Sequence, residues 1–135
     1  GVKKLETYLR KMGCKVYPYH YDKGVHTIGK VAFVHGYVAS VHAVKHTAEV
    51  YSPPGGATVM GHLHRIEAVH AVRHGGAQGY SGGCLADIPR LHYAALRHAT
   101  MRWANGWLYG VVNTAKGGGF KIWQAERIDG VWMHP

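Results

Sequence analysis

The chain is short of acidic side chains. Seven Asp and Glu stand against 16 Lys and Arg, which leaves a formal charge of +9 over 135 residues. Its only aspartates are Asp22, Asp87 and Asp129, each in a turn-like context, so no aspartate-rich metal motif is present. Cysteine is nearly absent too. Cys14 and Cys84 are too few and too far apart for a disulfide framework and read as reduced, small apolar residues, which leans toward the cytoplasm. No apolar run approaches the roughly 18 residues of a membrane span. The start, Gly1-Val2-Lys3-Lys4-Leu5-Glu6, has no apolar signal-peptide core. There is no block of Lys and Arg, no internal repeat and no linker.

What is present suits a folded chain. An apolar fraction of 47% with 17% charged residues belongs to a globular protein. A length of 135 residues fits a single domain, 1–135, able to bury roughly two thirds of its unfolded surface. A positive surface concentrates phosphate-bearing ligands, although a merely soluble basic surface accounts for the charge equally well. The charges are scattered, so any basic patch must be made by folding. Twelve histidines are an outlier, more than any one metal site uses.

Periodicity sets out the elements. Val2, Leu5, Leu9 and Met12 share one face of a helix over 2–12, and Gly13 stops it. Cys14 to Tyr19 alternates like a short strand, placed at an edge by Pro18. Tyr21-Asp22-Lys23-Gly24 is turn chemistry. Residues 30–34 form an apolar run suited to a strand covered on both faces. Ser40 can cap a helix over 41–51, whose stripe is Val41, Val44, Ala48 and Tyr51. Ser52-Pro53-Pro54-Gly55-Gly56 breaks the chain, and 57–60 is the next strand. The span 30–60 therefore reads as a βαβ crossover with parallel strands. Beyond it, 66–72 reads as a strand, 75–83 as a glycine-rich loop and 91–101 as a helix. Residues 107–112 and 120–125 read as strands joined at Lys116-Gly117-Gly118-Gly119, with 131–133 as a last edge strand.

The chemistry gathers at two strand ends. His35-Gly36 follows the strand 30–34, and Gly61-His62-Leu63-His64 follows the strand 57–60. In an open α/β sheet ligands bind beyond the carboxyl ends of parallel strands. In extended backbone His62 and His64 share one side, where they can chelate one ion or serve two. Gly36 and Gly61 remove Cβ atoms beside them and let backbone and phosphate approach. Neutral imidazole suits Zn, Fe and Ni, and Mn in mixed sites. A His-x-His pair alone is more often a surface feature, and His35 alone an ordinary buried histidine. The order strand, His-Gly, helix, strand, Gly-His-x-His is what raises the pattern above chance.

With those residues in view, Phe33-Val34-His35-Gly36 and Val59-Met60-Gly61-His62-Leu63-His64-Arg65 resemble the C-terminal half of a calcineurin-like metallophosphoesterase of the phage type. The resemblance is specific over about residues 30–67 and looser downstream. It implies an α/β fold, half of an αββα sandwich with a mixed sheet and flanking helices. It implies that residues matching His35 and His62 bind one metal and His64 the other, with Mn, Fe or Zn as the pair. Two such ions, roughly 3.5–4 Å apart, activate a water and clamp phosphate oxygens. Arg65 reads as a solvated arginine, Tyr37 as a packing residue and Arg73 as a border of the glycine-rich loop before any of them reads as a contact to a phosphate ester substrate. The family's Asp-x-His, Gly-Asp and Gly-Asn-His motifs are not in this sequence. The divalent pair is thus incomplete in this chain, because three imidazoles carry no charge to offset two ions.

Three readings follow. The chain is part of a metal-dependent phosphoesterase completed by upstream sequence or a second chain, and inactive alone. Or it is a non-catalytic, basic nucleic-acid-binding module. Or it is a fragment that self-associates through a sheet edge. His42 and His46, one helical turn apart, read as a solvated face before a surface chelate. Trp103, Trp107, Trp123 and Trp132 read as packing before stacking platforms for nucleic acid.

Overall fold

The structure, a computed structural model, describes residues 1–71, 75–91 and 102–135. In chain order it contains helix α1 (Val2–Lys11), strands β1 (His26–Ile28) and β2 (Val31–Val34), and helix α2 (Ala43–Tyr51). Then follow β3 (Gly56–Met60), β4 (Ile66–Ala71), β5 (Ala77–Gly82), a 3-10 turn at Ile88–Arg90, β6 (Gly106–Val112), β7 (Phe120–Ile128) and β8 (Val131–Met133). The protein is a mixed α/β fold. Five strands form one sheet in the order β1-β2-β3-β5-β4, and β6-β7-β8 form a second, antiparallel sheet.

The βαβ unit stands as expected. Strands β2 and β3 pair in parallel with Val34 opposite Met60, and α2 connects them. Side chains alternate along these strands, so each strand serves two faces. Val34 and Met60 pack with Ala43 and Val44 of α2, with Leu63 and with Val69. Val31, Phe33 and Val59 instead line a cavity of about 280 Å³ whose other wall is Leu108, Val112 and Ile122 of the second sheet. The five-stranded sheet is therefore covered by α2 on one face and by the second sheet on the other. Gln124 stitches the two sheets by donating from Nε2 to the carbonyls of Glu67 (2.9 Å) and Ser81 (3.0 Å).

Strand β5 departs from the sequence reading. The glycine-rich stretch 75–83 is no loop: residues 77–82 form a central strand, parallel to β3 and antiparallel to β4. The glycine has a packing reason. A Cβ at Gly79 would lie 2.8 Å from the Val44 carbonyl oxygen and 3.0 Å from Ala48 Cβ, so only a bare backbone lets α2 settle on the sheet. Residues 14–19 form no strand. Pro18 offers no N–H for a ladder. Helix α2 starts at Ala43 with no side-chain cap, and Ser40 contributes only its carbonyl, to Ala43 N at 3.1 Å. Helix α1 forms as read, yet none of its residues is buried. Apart from Leu91, the helix expected over 91–101 lies outside the described residues. No helix among the described residues is long and apolar enough to cross a membrane.

Candidate metal centre

The parallel register places the first two ligand candidates. Because Val34 lies opposite Met60, His35 and Gly61 leave the sheet side by side. Gly61 N donates to the His35 carbonyl at 3.1 Å. Gly36 turns the chain away at φ +101°, and a Cβ there would press on Met60 and on His62 Cβ. The rings of His35 and His62 meet edge to face with centroids 5.2 Å apart.

The path of residues 61–65 follows from topology. β5 inserts between β3 and β4, so the chain leaving β3 must cross the carboxyl end of β5 to reach β4. Ser81 Oγ and Gly83 N both donate to the Arg65 carbonyl, at 2.6 and 3.1 Å, and pin that crossing. A short crossing has to bend. Leu63 N donates to Gly61 O at 2.6 Å, and His62 and His64 both adopt φ +55°. A left-handed conformation in a non-glycine residue costs of order 1–3 kcal/mol and collects at functional sites.

The bend overturns the extended reading of His-x-His. The two imidazoles do not share a side of a strand. Leu63, 7% exposed, is the anchor between them and joins the α2 core. His62 turns to His35, while the His64 ring lies against Trp103 at a centroid distance of 4.4 Å. The backbone is tied there as well, since Ala104 N donates to His64 O at 2.9 Å. His64 Nδ1 is buried and has no hydrogen-bond partner among the described residues. An unsatisfied buried nitrogen costs about 1–3 kcal/mol, the kind of defect that a ligand removes.

Electrostatics at His35 favour neutral imidazole. Partial burial of the ring lowers the His35 pKa below the ordinary 6.5, and repulsion from His62 and then His64 lowers it further. Neutral imidazole is the metal-binding form. Yet no group of three or more His, Cys, Asp or Glu side chains among the described residues is arranged to hold a metal ion. The imidazoles and the orphaned His64 nitrogen fit the donor chemistry of Zn, Fe or Mn. A divalent pair does not fit this chain's own residues. Glu67, the carboxylate nearest in sequence, is held by Arg65 at 2.8 Å.

That ion pair defines what Arg65 does. Its side chain is 13% exposed; Nε binds Glu67, and Nη2 donates to the carbonyls of Ser40 (3.0 Å) and Val41 (3.1 Å). It ties the segment before α2 to the start of β4. Tyr37 lies beside the site, with its ring 4.6 Å from that of Tyr19. Arg73 lies outside the described residues. His42 and His46 are both exposed, with ring centroids 6.0 Å apart. The tryptophans divide: Trp103 packs on His64, while Trp107 meets Trp132 at 4.4 Å and Trp123 stacks on Tyr109 at 5.6 Å.

The sequence reading did not single out Tyr17, Tyr19 and His26, which stand next to His35. Tyr17 Oη lies 2.6 Å from His26 Nδ1, and the Tyr19 ring meets His35 edge-on at 5.2 Å. Their signal in the sequence is the alternation of Tyr17 and Tyr19 within 14–19, which fits a strand equally well. No family model, curated protein or solved structure matches this chain.

Proposed function

We propose that this chain supplies the histidine side of a metal-dependent phosphoesterase that hydrolyses phosphomono- or phosphodiesters. The aspartate ligands would come from upstream sequence or from a second chain. The observation that carries the reading is the division of labour at the strand ends. The His62 ring meets His35, while the His64 ring packs on Trp103 with a buried nitrogen that has no hydrogen-bond partner among the described residues. Two ions served by one chain need that division, and it matches the ligand assignment implied by the resemblance of Phe33-Val34-His35-Gly36 and Gly61-His62-Leu63-His64. In this reading the chain's own residues present imidazole lone pairs, keep that of His35 unprotonated through its partial burial, and hold His62 and His64 on a left-handed bend. The missing charge is the partner's contribution.

The test is reconstitution. The chain is mixed with a polypeptide carrying Asp-x-His and Gly-Asn-His motifs from directly upstream in the genome, with Mn, and assayed on bis-nitrophenyl phosphate. The expected result is turnover by the mixture only, abolished by His62→Ala. A mixture that retains no metal and shows no turnover sinks the reading.

A second reading is favoured by a separate surface. The outer face of the β6-β7-β8 sheet carries Trp107, Tyr109, Trp123 and Trp132, with Lys121 and Arg127 on the same side of β7. Trp107, Tyr109 and Trp132 are each more than a third exposed. Aromatic faces flanked by cations stack the bases of single-stranded nucleic acid. This reading expects salt-sensitive oligonucleotide binding that survives alanine at His35, His62 and His64. Binding lost with those histidines, or indifferent to Trp107→Ala, counts against it.

A further inference from the structure

Against β2 and the His35 end of the site lies a cavity of about 350 Å³ that no described side chain fills. Tyr17, Tyr19, His26, Phe33, His35 and Tyr37 are among its walls. Its outer wall is the segment before β1, which is held by local bonds. Asp22 N and Lys23 N both donate to His20 Nδ1 at 3.1 Å, and Gly24 N donates to His20 O at 2.8 Å. The Tyr17 hydroxyl is engaged with His26 Nδ1 at 2.6 Å, and the Tyr19 hydroxyl donates to Gly36 O at 3.5 Å. Lys15 Nζ lies over the Tyr17 ring at 4.9 Å and Tyr37 packs on Tyr19, the hydroxyls of Tyr17 and Tyr19 are turned to protein partners, and the remaining ring faces and edges border the cavity.

We propose that this cavity binds the base of a nucleoside phosphate ester, whose phosphate lies at His35 and His62. The phosphate half of the proposal rests on the phosphoesterase reading above, whereas the ring half rests on the cavity. Four lines of chemistry meet here. The volume, in an open cleft, is at the small end for ligand sites and accommodates a ring system. Four aromatic side chains give ring faces, which attract planar rings of any sequence. Among the described residues no Lys, Arg, Asp or Glu lines the cavity, although Lys15 Nζ lies over the Tyr17 ring, so the cavity itself suits an uncharged ring and leaves the phosphate to be met elsewhere. His35 belongs both to the cavity wall and to the histidine pair, so a ring held here has its attached phosphate delivered to the strand ends.

The experiment separates the ring from the phosphate. Adenosine, AMP and ribose 5-phosphate are titrated into the full chain by equilibrium dialysis, first in EDTA and then with Mn and the upstream polypeptide of the reconstitution. Tyr19 is 67% exposed and Tyr37 36%, so substitution of either leaves the core intact. The expected result is adenosine binding in EDTA, weakened about tenfold by Tyr19→Ala or Tyr37→Ala, the scale of one lost base–aromatic stack. Tyr19→Phe keeps the binding. With Mn, AMP binds more tightly than adenosine or ribose 5-phosphate. Adenosine that does not bind at millimolar concentration, or binds both alanine variants as well as the parent chain, overturns the proposal. Adenosine binding that depends on both tyrosines, with no gain for AMP in Mn, keeps the base pocket and removes the phosphoesterase reading instead.

Discussion

His35 and His62 stand edge to face, 5.2 Å between ring centroids, although all of α2 and β3 lies between them in the chain. His64 is only two residues from His62, yet it packs on Trp103. Near neighbours in sequence are parted and distant ones joined. An ion bound by this chain alone should therefore depend on His35 and His62 together. Replacing either by Ala should weaken Zn binding by more than the roughly tenfold that loss of an outer-shell partner costs. His64→Ala should cost less. Calorimetric titration at pH 7.5 gives the order, and a larger loss at His64 contradicts the pairing.

The bend that parts the two histidines holds both at φ +55°. Left-handed backbone costs a side-chain-bearing residue roughly 1–2 kcal/mol, and glycine almost nothing. His62→Gly should then stabilise the chain by about 0.5–1 kcal/mol once the entropy of glycine is set against the relieved strain. The same variant should bind metal worse. Urea unfolding reads the first effect and metal titration the second. A destabilised His62→Gly means the bend is not under strain.

Gly79 carries α2. Adding one methyl brings carbon to within 2.8 Å of the Val44 carbonyl oxygen and 2.9 Å of Val44 Cγ1. Overpacking of this kind costs about 1–3 kcal/mol. Gly79→Ala should lower the urea midpoint accordingly, whereas Gly119→Ala, with no heavy atom within 4 Å, should be near neutral. Equal effects at both sites would show that α2 gives way.

Arg65 should act through stability. Arg65→Gln strands Glu67 and frees two carbonyls, a loss of about 1–3 kcal/mol for a pair that is only partly buried. Arg65→Lys should recover little, because one ammonium cannot reproduce the fork. Phosphate affinity of the folded variant, measured at low temperature, should match that of the parent chain. Unchanged stability with weakened phosphate binding would assign Arg65 to substrate instead.

Acid should loosen the metal-free chain. The His35 pKa is lowered in the fold, through burial first and His62 and His64 next. Below the ordinary value of 6.5 the unfolded chain takes up a proton that the folded chain resists, so the unfolded state binds more protons there. The stability tied to His35 is thus present above pH 6.5 and lost as pH falls through the lowered value. In EDTA, the thermal midpoint should drop between pH 7 and pH 5, with a shallower drop in His35→Gln. Identical slopes for the two chains would remove His35 as the source.

Much of the site was legible because its signals are local. Apolar runs bounded by glycine marked β2 and β3, and a helical stripe between them marked α2, which together forced a parallel pair with histidine at both ends. The glycine-rich stretch misled because glycine normally marks loops. Its meaning here depends on Val44 and Ala48, which lie far away in sequence. The tyrosines before β1 misled in the same way, since their alternation matches a strand while their partners are His26, His35 and Tyr37.

By itself, then, the sequence determined the βαβ unit, the antiparallel strands near the C-terminal end, the basic surface and the set of histidines that could be ligands, because periodicity and chain breaks act over a few residues. Only the tertiary structure decided how those histidines divide. β5 enters between β3 and β4, residues 61–65 must cross its end, and the short crossing bends twice into left-handed backbone. That bend sends His62 to His35 and His64 to Trp103, and no pattern within Gly61-His62-Leu63-His64 encodes a strand inserted from further along the chain.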